Sequence, residues 1–245
     1  MPHSPPPLAP DNCLFLDVDG TLVEFTDTPS QTLADQEIKA LLAEVSQCLS
    51  GALALVSGRQ IDTMDRLFAP LKLPAAGLHG VERRDAAGIV HGATFLDGRL
   101  NRVRSALTLL ADSYPGTIIE DKGRNIAVHY RLAPQFGELV RHSVAAITAP
   151  LADEYQLQDG ILMVEIKPRG FTKGSAVEAF MREQPFAGRC PVFIGDDLTD
   201  RDGFSAVEAL GGVSIGVGDR VQGQYRLDGV ASVRRWLRGS GGPHG

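Results

Sequence analysis

Two aspartates, Asp17 and Asp19, stand two residues apart where the apolar run CLFLDVDGTL (13–22) ends. A carboxylate buried without a partner costs free energy. Two so close repel each other unless a cation or a shared proton relieves them. Side chains two residues apart on extended backbone point the same way, Gly20 permits a tight turn, and Thr21 adds a hydroxyl and a backbone N–H. A second acidic cluster, Asp196, Asp197 and Asp200, follows the apolar run PVFIG. Hard divalent cations take carboxylate, carbonyl and water oxygens, and magnesium uses only one or two protein carboxylates. Such an ion would offset repulsion between these carboxylates and an incoming phosphate, leaving Asp17 ionised and able to attack phosphorus. Ser57, Gly58 and Arg59 follow the run ALALV, where a hydroxyl and backbone amides at a strand end suit a phosphate oxygen. Lys173 and Gly174 precede the helix-like SAVEAFMRE. A lysine there opposes the helix dipole unless a phosphate and the acidic cluster balance it. Taken singly, these features also fit a capped turn, a helix N-cap and a solvated lysine. It is their joint placement after buried runs that argues for chemistry.

The elements that must position them form an alternating pattern. CLFLDV, ALALV, PAAGLHG, PVFIG and GVSIGVG read as strands. QEIKALLAEVSQCL places Ile38, Leu41, Leu42, Val45 and Leu49 at helical spacing, and DTMDRLFA and DRDGFSAVEAL also read as helices. Strands apolar on both faces and separated by helices indicate a parallel α/β sheet, whose site lies beyond the carboxyl ends of its strands. Asp17, Ser57 and Asp196 all follow such runs. The middle of the chain differs. NRVRSALTLLADS and FGELVRHSVAAITAPL read as helices, TIIED and NIAVHYR as strands joined at KGR, and YQLQ and ILMVEIK as a hairpin turning at Asp159–Gly160. This order predicts an α/β module with an antiparallel sheet over residues 85–168, inserted into a core of residues 1–84 and 169–245.

The chain has 245 residues and a net charge of −6, with 24 basic and 30 acidic side chains. That is room for a large core and a smaller module, with no basic surface for nucleic acid. Cys13, Cys48 and Cys190 contain no CxxC pair, which predicts reduced thiols and no zinc knuckle. The proline-rich start, residues 1–11, lacks an apolar signal core, and the tail, residues 239–245, is glycine-rich; both are expected to be disordered. No run approaches the ~20 apolar residues of a membrane span. A cytoplasmic monomer, acting on a small metabolite and not on a membrane, is the default expectation. Arg83 and Arg84 read as charged surface.

In order and spacing, DVDGTL, VSGR, the lysine opening a late helix, and GDDLTD resemble the four loops of haloacid dehalogenase-type phosphatases, and the inserted module resembles the large cap of that superfamily. GLHGVE (77–82), KGRNIAVHYR (122–131), EIKPRGFTKG (165–174) and GDDLTD narrow the resemblance to the trehalose-6-phosphate phosphatase family. It implies a Rossmann-like core and a two-step phosphoryl transfer dependent on Mg2+. In that scheme Asp17 is the nucleophile, and Asp19 protonates the departing sugar oxygen and then activates water. Thr21, Ser57, Gly58 and Lys173 hold the phosphoryl oxygens. The metal falls to Asp17, the carbonyl of Asp19 and Asp196, with Asp197 or Asp200 in support. Sugar contacts fall to Lys122, Asn125, His129, Arg131, Glu165 and Lys167 in the cap, with His79 and Glu82 from the core. His129 also fits a structural histidine, and Arg131 a solvated charge. The family's acid loop continues to a glutamate where this chain has Arg201. Other readings are a sucrose-phosphate or glycosyl-glycerate phosphatase, a sugar phosphomutase, and a non-catalytic sugar-phosphate sensor. A functional link to a trehalose-6-phosphate synthase also fits the resemblance.

Overall fold

The computed structural model describes residues 4–24, 34–92 and 97–241. Its contacts divide the chain into two compact units, Met1–Gly92 with Phe171–Gly245, and Ala93–Gly170. The first unit carries an eight-stranded sheet. Its strands are β1 (Asn12–Leu16), β2 (Leu53–Val56), β3 (Ala75–Gly77), β4 (Glu82–Arg84), β5 (Val90–Gly92), β10 (Cys190–Gly195), β11 (Val213–Val217) and β12 (Tyr225–Leu227). They lie in the order β12-β11-β10-β1-β2-β3-β4-β5, and the six strands from β12 to β3 are mutually parallel. The central strands are buried along almost their whole length, as expected when helices cover both faces of a parallel sheet. Because β1 sits between β2 and β10, the chain leaves it in one direction and returns on the other side, and ligand sites form at such a switch point.

Helices α1 (Gln36–Cys48), α2 (Ile61–Phe68), α5 (Lys173–Phe180), α6 (Arg201–Ala209) and α7 (Val230–Gly241) complete this unit, with α1 packed on α7 and α5 on α6. The carboxylate of Asp35 caps α1 by accepting from the Ile38 amide at 2.8 Å, and Ile38, Leu41, Leu42 and Val45 form its buried stripe. Phe15, Phe180 and Phe186 pack with ring centroids 5.0–5.9 Å apart, joining β1 to α5 at the centre of the core.

The second unit is a four-stranded antiparallel sheet ordered β6-β7-β9-β8: β6 (Ile118–Asp121), β7 (Ile126–His129), β9 (Met163–Pro168) and β8 (Tyr155–Gly160). With it go helices α3 (Asp97–Ser113) and α4 (Gly137–Thr148). Ile126, Val128, Val164 and Ile166 turn one face of the sheet into a separate apolar core shared with Leu107, Val140 and Val144 of the helices. The opposite face takes the alternate residues, among them Glu120, His129, Glu165 and Lys167.

Several expectations change. The junction after residue 84 falls later, after Gly92, because β5 pairs antiparallel with β4 and extends the first unit's sheet. The second junction falls at Gly170, not at 168. The β8–β9 hairpin turns at Ile161 and Leu162 instead of Asp159 and Gly160, which pair with Val164 and Met163. Leu162 takes the left-handed conformation the turn needs (φ 53°), while Gly160 lacks the Cβ that would meet the Met163 side chain at 2.8 Å. The described part of the proline-rich start is held in place. Leu8 is buried and its amide donates to the Ser240 hydroxyl, while the Trp236 indole donates to the Pro6 carbonyl at 3.0 Å. Residues 239–241 continue α7; residues 1–3 and 242–245 lie outside the described set. Arg84 is buried in a two-pronged pair with Asp65, both bonds at 2.7 Å, and Arg83 pairs with Glu183 beneath the Phe180 ring, so neither is simple surface charge. No disulfide joins the three cysteines, and burial pushes the Cys13 thiol up to about 12.

Candidate active site

Strand register brings the acidic loops together. Leu16 of β1 lies beside Ile194 of β10, and the Asp17 amide continues the ladder by donating to the Ile194 carbonyl at 2.9 Å. Asp17 and Asp196 therefore emerge from neighbouring strands at the carboxyl edge of the sheet. Beyond Asp17 the chain reverses tightly. The Leu22 and Val23 amides donate to the Val18 carbonyl, and Gly20 takes a positive φ of 79°, a conformation that costs glycine little.

Carboxylate oxygens of Asp17, Asp196 and Asp200 lie within 4.8 Å of one another, and all three residues are buried. Lys173, also buried, donates to Asp17 Oδ1 at 2.8 Å and to Asp200 Oδ1 at 2.6 Å. The Thr21 hydroxyl donates to Asp196 Oδ1 at 3.4 Å. Burial, then the charge of Asp200, push the Asp17 carboxyl well above the usual carboxylate range, against the pull of Lys173. Burial and Asp200 likewise raise Asp196, to about 6. Burial disfavours the Lys173 ammonium, but Asp17 and Asp200 outweigh it and raise its pKa. Three carboxylates and one ammonium leave two negative charges when all are ionised. The donors are all hard oxygens, so the residues present fit one divalent cation.

Asp200 does not face that space freely. Its second oxygen accepts from the Asp197 amide at 2.9 Å, closing a short turn before α6. Gly195 makes this possible, since any side chain there would collide with the Asp200 carboxylate. Asp197 turns aside to Arg220, 2.7 Å away, and Arg220 also lies 3.9 Å from Asp196. Asp19 too lies apart from the triad. Both its oxygens accept from the Arg59 guanidinium, at 2.6 and 2.7 Å. Arg201 opens α6 and is exposed.

Ser57 is buried directly after β2 and Gly58 follows it. The ring of His79 covers Gly58, so a Cβ there would meet His79 Nε2 at 2.7 Å. His79 itself is left-handed (φ 58°), between Leu78 and Gly80, which are left-handed as well. Glu82, expected at the substrate, accepts from the Ile61 amide at 2.6 Å. It caps the start of α2, where Gln60 makes no side-chain cap, so its carboxylate has a structural use.

In the second unit the predicted residues form their own cluster. Lys122 Nζ donates to Glu165 Oε1 at 3.1 Å, and Asn125 Nδ2 approaches the same oxygen at 3.4 Å. Glu165, Asn125 and Lys167 are buried. His129 Nε2 bonds Glu120 at 2.9 Å, and that bond, ahead of the cost of burial, holds the Glu120 carboxyl below its ordinary range. Arg131 is exposed. Sequence reasoning did not single out the roles of Arg59, Arg220 or Glu120. A basic residue in the loop after the run GVSIGVG was the available signal for Arg220, and strand alternation the one for Glu120.

A parallel sheet with a switch point, an aspartate following each of two adjacent strands, and a buried lysine joining the two acidic loops define a haloacid dehalogenase-like phosphatase. Sequence comparison agrees and goes further. The trehalose-phosphatase family profile matches residues 15–229. The trehalose-6-phosphate phosphatase of Escherichia coli (strain K12) is 42% identical over 233 residues, which cover 95% of this chain and 87% of that protein. A probable trehalose-phosphate phosphatase of Sinorhizobium fredii (strain NBRC 101917 / NGR234) is 42% identical over 92% of this chain and 84% of its own length. The chain belongs to the trehalose-phosphatase family. The fold is shared with the C-terminal domain of C. albicans trehalose-6-phosphate phosphatase, with a TM-score of 0.82 at 18% identity over 94% of this chain and 92% of that one. A trehalose-6-phosphate phosphatase related protein gives a TM-score of 0.76 at 22% identity, over 94% of this chain and 96% of its own. Among the described residues no helix is long and apolar enough to cross a membrane.

Proposed function

We propose that the protein hydrolyses trehalose 6-phosphate to trehalose and inorganic phosphate through an aspartyl-phosphate on Asp17, with Mg2+ held at Asp17, the Asp19 carbonyl and Asp196. The observation that carries this reading is the meeting of Asp17, Lys173, Asp196 and Asp200 at one edge of the parallel sheet. The ion would supply positive charge against the phosphoryl oxygens and keep the acidic cluster ionised. Asp17 is the nucleophile: one of its oxygens attacks phosphorus while the bond to the sugar oxygen breaks. Asp19 gives its proton to that departing oxygen. It then takes one from the water that cleaves the acyl phosphate. Lys173, Thr21, Ser57 and the Gly58 amide hold the phosphoryl oxygens, and positioning with charge neutralisation supplies most of the rate in such transfers.

Asp200 serves the metal site indirectly, by fixing Lys173 and the Asp197 amide; Asp197 serves it through its pairing with Arg220. Lys122, Asn125, His129, Arg131, Glu165 and Lys167 provide the sugar contacts, because hydroxyls are gripped best by charged hydrogen-bond partners. His79 acts on the phosphate through Gly58, and Glu82 through the start of α2. The protein works in the cytoplasm as a monomer, in step with the synthase that makes its substrate.

The test is phosphate release from trehalose 6-phosphate, sucrose 6-phosphate, a glycosyl-glycerate phosphate and glucose 6-phosphate, each with magnesium and with EDTA. Strong preference for trehalose 6-phosphate and loss of turnover in EDTA are expected. Equal rates on all four would overturn the substrate, and undiminished turnover in EDTA would overturn the metal.

A further inference from the structure

We propose that Arg59 is a positioning residue for the general acid, fixing the carboxylate of Asp19 relative to the loop that holds the phosphate. The inference rests on the role given to Asp19 above. Arg59 Nε donates to Asp19 Oδ2 at 2.7 Å and Nη2 to Oδ1 at 2.6 Å, so two parallel bonds set both the place and the plane of the carboxylate. The Arg59 side chain is only 8% exposed, against 25% for Asp19, so the better-buried group anchors the more accessible one.

The anchor's backbone is itself fixed on both sides of its Cα. The Arg59 amide donates to the Ser57 hydroxyl at 3.2 Å, and its carbonyl accepts from the Leu78 amide at 2.9 Å. The next amide, that of His79, donates to the Ser57 carbonyl at 2.9 Å. Leu78 and His79 donate from left-handed backbone, φ 52° and 58°, a conformation that persists at non-glycine residues only where the surroundings enforce it. The position of the second loop, with its phosphate-facing Ser57, is thus carried through one guanidinium to the carboxylate of the first.

Two bonds do not exhaust Asp19. A carboxylate has about four lone-pair sites, and those left over can carry a proton while the fork stays in place. In the first chemical step an Asp17 oxygen bonds to phosphorus. The electron pair of the phosphorus–sugar oxygen bond goes to that oxygen, which takes the proton from Asp19. The geometry of this proton transfer is what Arg59 sets. A lysine at position 59 would keep the charge but could hold only one point, without defining the plane.

The experiment separates the acid from the nucleophile by leaving group. Trehalose 6-phosphate releases a sugar alkoxide that needs a proton, whereas 4-nitrophenyl phosphate releases a phenolate that does not. The quantity to read is kcat/KM in saturating magnesium, since it ends at the first irreversible step. Arg59→Met should lower it at least ~30-fold for trehalose 6-phosphate and less than ~3-fold for 4-nitrophenyl phosphate, with Arg59→Lys between Arg59→Met and wild type on the sugar phosphate. Equal losses on both substrates would reduce Arg59 to a structural role and overturn the proposal, as would no loss on either. If Arg59→Met does not fold, Arg59→Lys carries the same comparison. Asp19→Asn is the control for the underlying reading. If it shows the substrate split and the Arg59 variants do not, only the positioning role fails. If it spares trehalose 6-phosphate hydrolysis, the assignment of Asp19 fails and takes this inference with it.

Discussion

The charged clusters of the two units are built on opposite principles. In the first unit, groups from distant parts of the chain converge and do not balance: Lys173 bonds an aspartate 156 residues away, and one ammonium faces three buried carboxylates. In the second, Glu165 takes Lys122 and Asn125 from the turn between β6 and β7, and Glu120 takes His129 from the strand paired with its own, so each acid has its own donor. An unbalanced cluster needs a cation and an anion to complete it. A balanced one can exchange its bonds with hydroxyls. The first arrangement suits bond breaking and the second suits recognition, and substitutions should separate the two.

The largest effect is expected at Asp17, the proposed nucleophile. Asp17→Asn keeps the shape of the side chain but replaces the nucleophilic carboxylate with a neutral amide, and should cut phosphate release from every substrate by at least about a thousandfold. Binding of the sugar phosphate, followed by calorimetry, should persist. Appreciable turnover in this variant would break the comparison at its first term.

A smaller and selective loss is expected in the second unit. Glu165→Gln removes the charge that Lys122 and Asn125 share, and a hydrogen bond to a charged group contributes about 1.5–3 kcal/mol. The kcat/KM for trehalose 6-phosphate should fall about 10- to 100-fold, while that for 4-nitrophenyl phosphate stays within about twofold. A parallel fall on both substrates would place Glu165 in the chemistry and erase the distinction drawn here.

The two clusters were also legible in the sequence for different reasons. The first could be read because its residues follow buried apolar runs, and in a parallel sheet the ends of such runs share one edge. This located Asp17, Ser57 and Asp196 without coordinates. It could not say that Glu82 spends its carboxylate on the Ile61 amide, or that Asp197 turns to Arg220. Those choices depend on loop geometry and on partners far away in the chain. The second cluster followed from period-two alternation, which puts Glu165 and Lys167 on one face, but alternation does not fix where a hairpin turns. The Asp-Gly pair was the stronger local turn signal, yet the ladder runs through it and the chain reverses at Ile161 and Leu162. The expected boundary at residue 84 separates β5 from its partner β4, because a short, exposed edge strand carries little hydrophobic pattern. The burial of Leu8, and the bond from its amide to Ser240 near the end of α7, were hidden for a similar reason: one leucine among prolines is too weak a signal.

The imbalance of the first cluster should appear in the pH dependence of stability. Asp196 titrates at about 6 in the folded protein because burial and Asp200 disfavour its charge, against an ordinary value of 3.8. Asp17 is raised for the same reasons. Between pH ~4 and ~6 the folded state therefore binds more protons than the unfolded one, and these groups lower stability as pH rises. In EDTA the Asp196 contribution should be about 1–2 kcal/mol after solvent screening, read as a downward slope of Tm that Asp196→Asn flattens. Saturating magnesium should oppose the slope by favouring the ionised carboxylates. Identical pH profiles for wild type and Asp196→Asn in EDTA would mean that the cluster carries no such repulsion.

The smallest effect sharpens the comparison from the side of the scaffold. Thr172 caps α5 reciprocally: its hydroxyl accepts from the Ser175 amide at 3.1 Å, and the Ser175 hydroxyl accepts from the Thr172 amide at 2.9 Å. Lys173 occupies the next position, where its charge opposes the helix dipole, so the cap and the two aspartates together keep it there. Thr172→Ala should cost about 1 kcal/mol and lower Tm by about 2–4 °C. Because Lys173 keeps its bonds to Asp17 and Asp200, kcat/KM should change less than about threefold. A loss of activity far larger than the loss of stability would mean that the cap, and not the carboxylates, holds the lysine. The first cluster would then depend on the backbone around the helix start and not on its own charges.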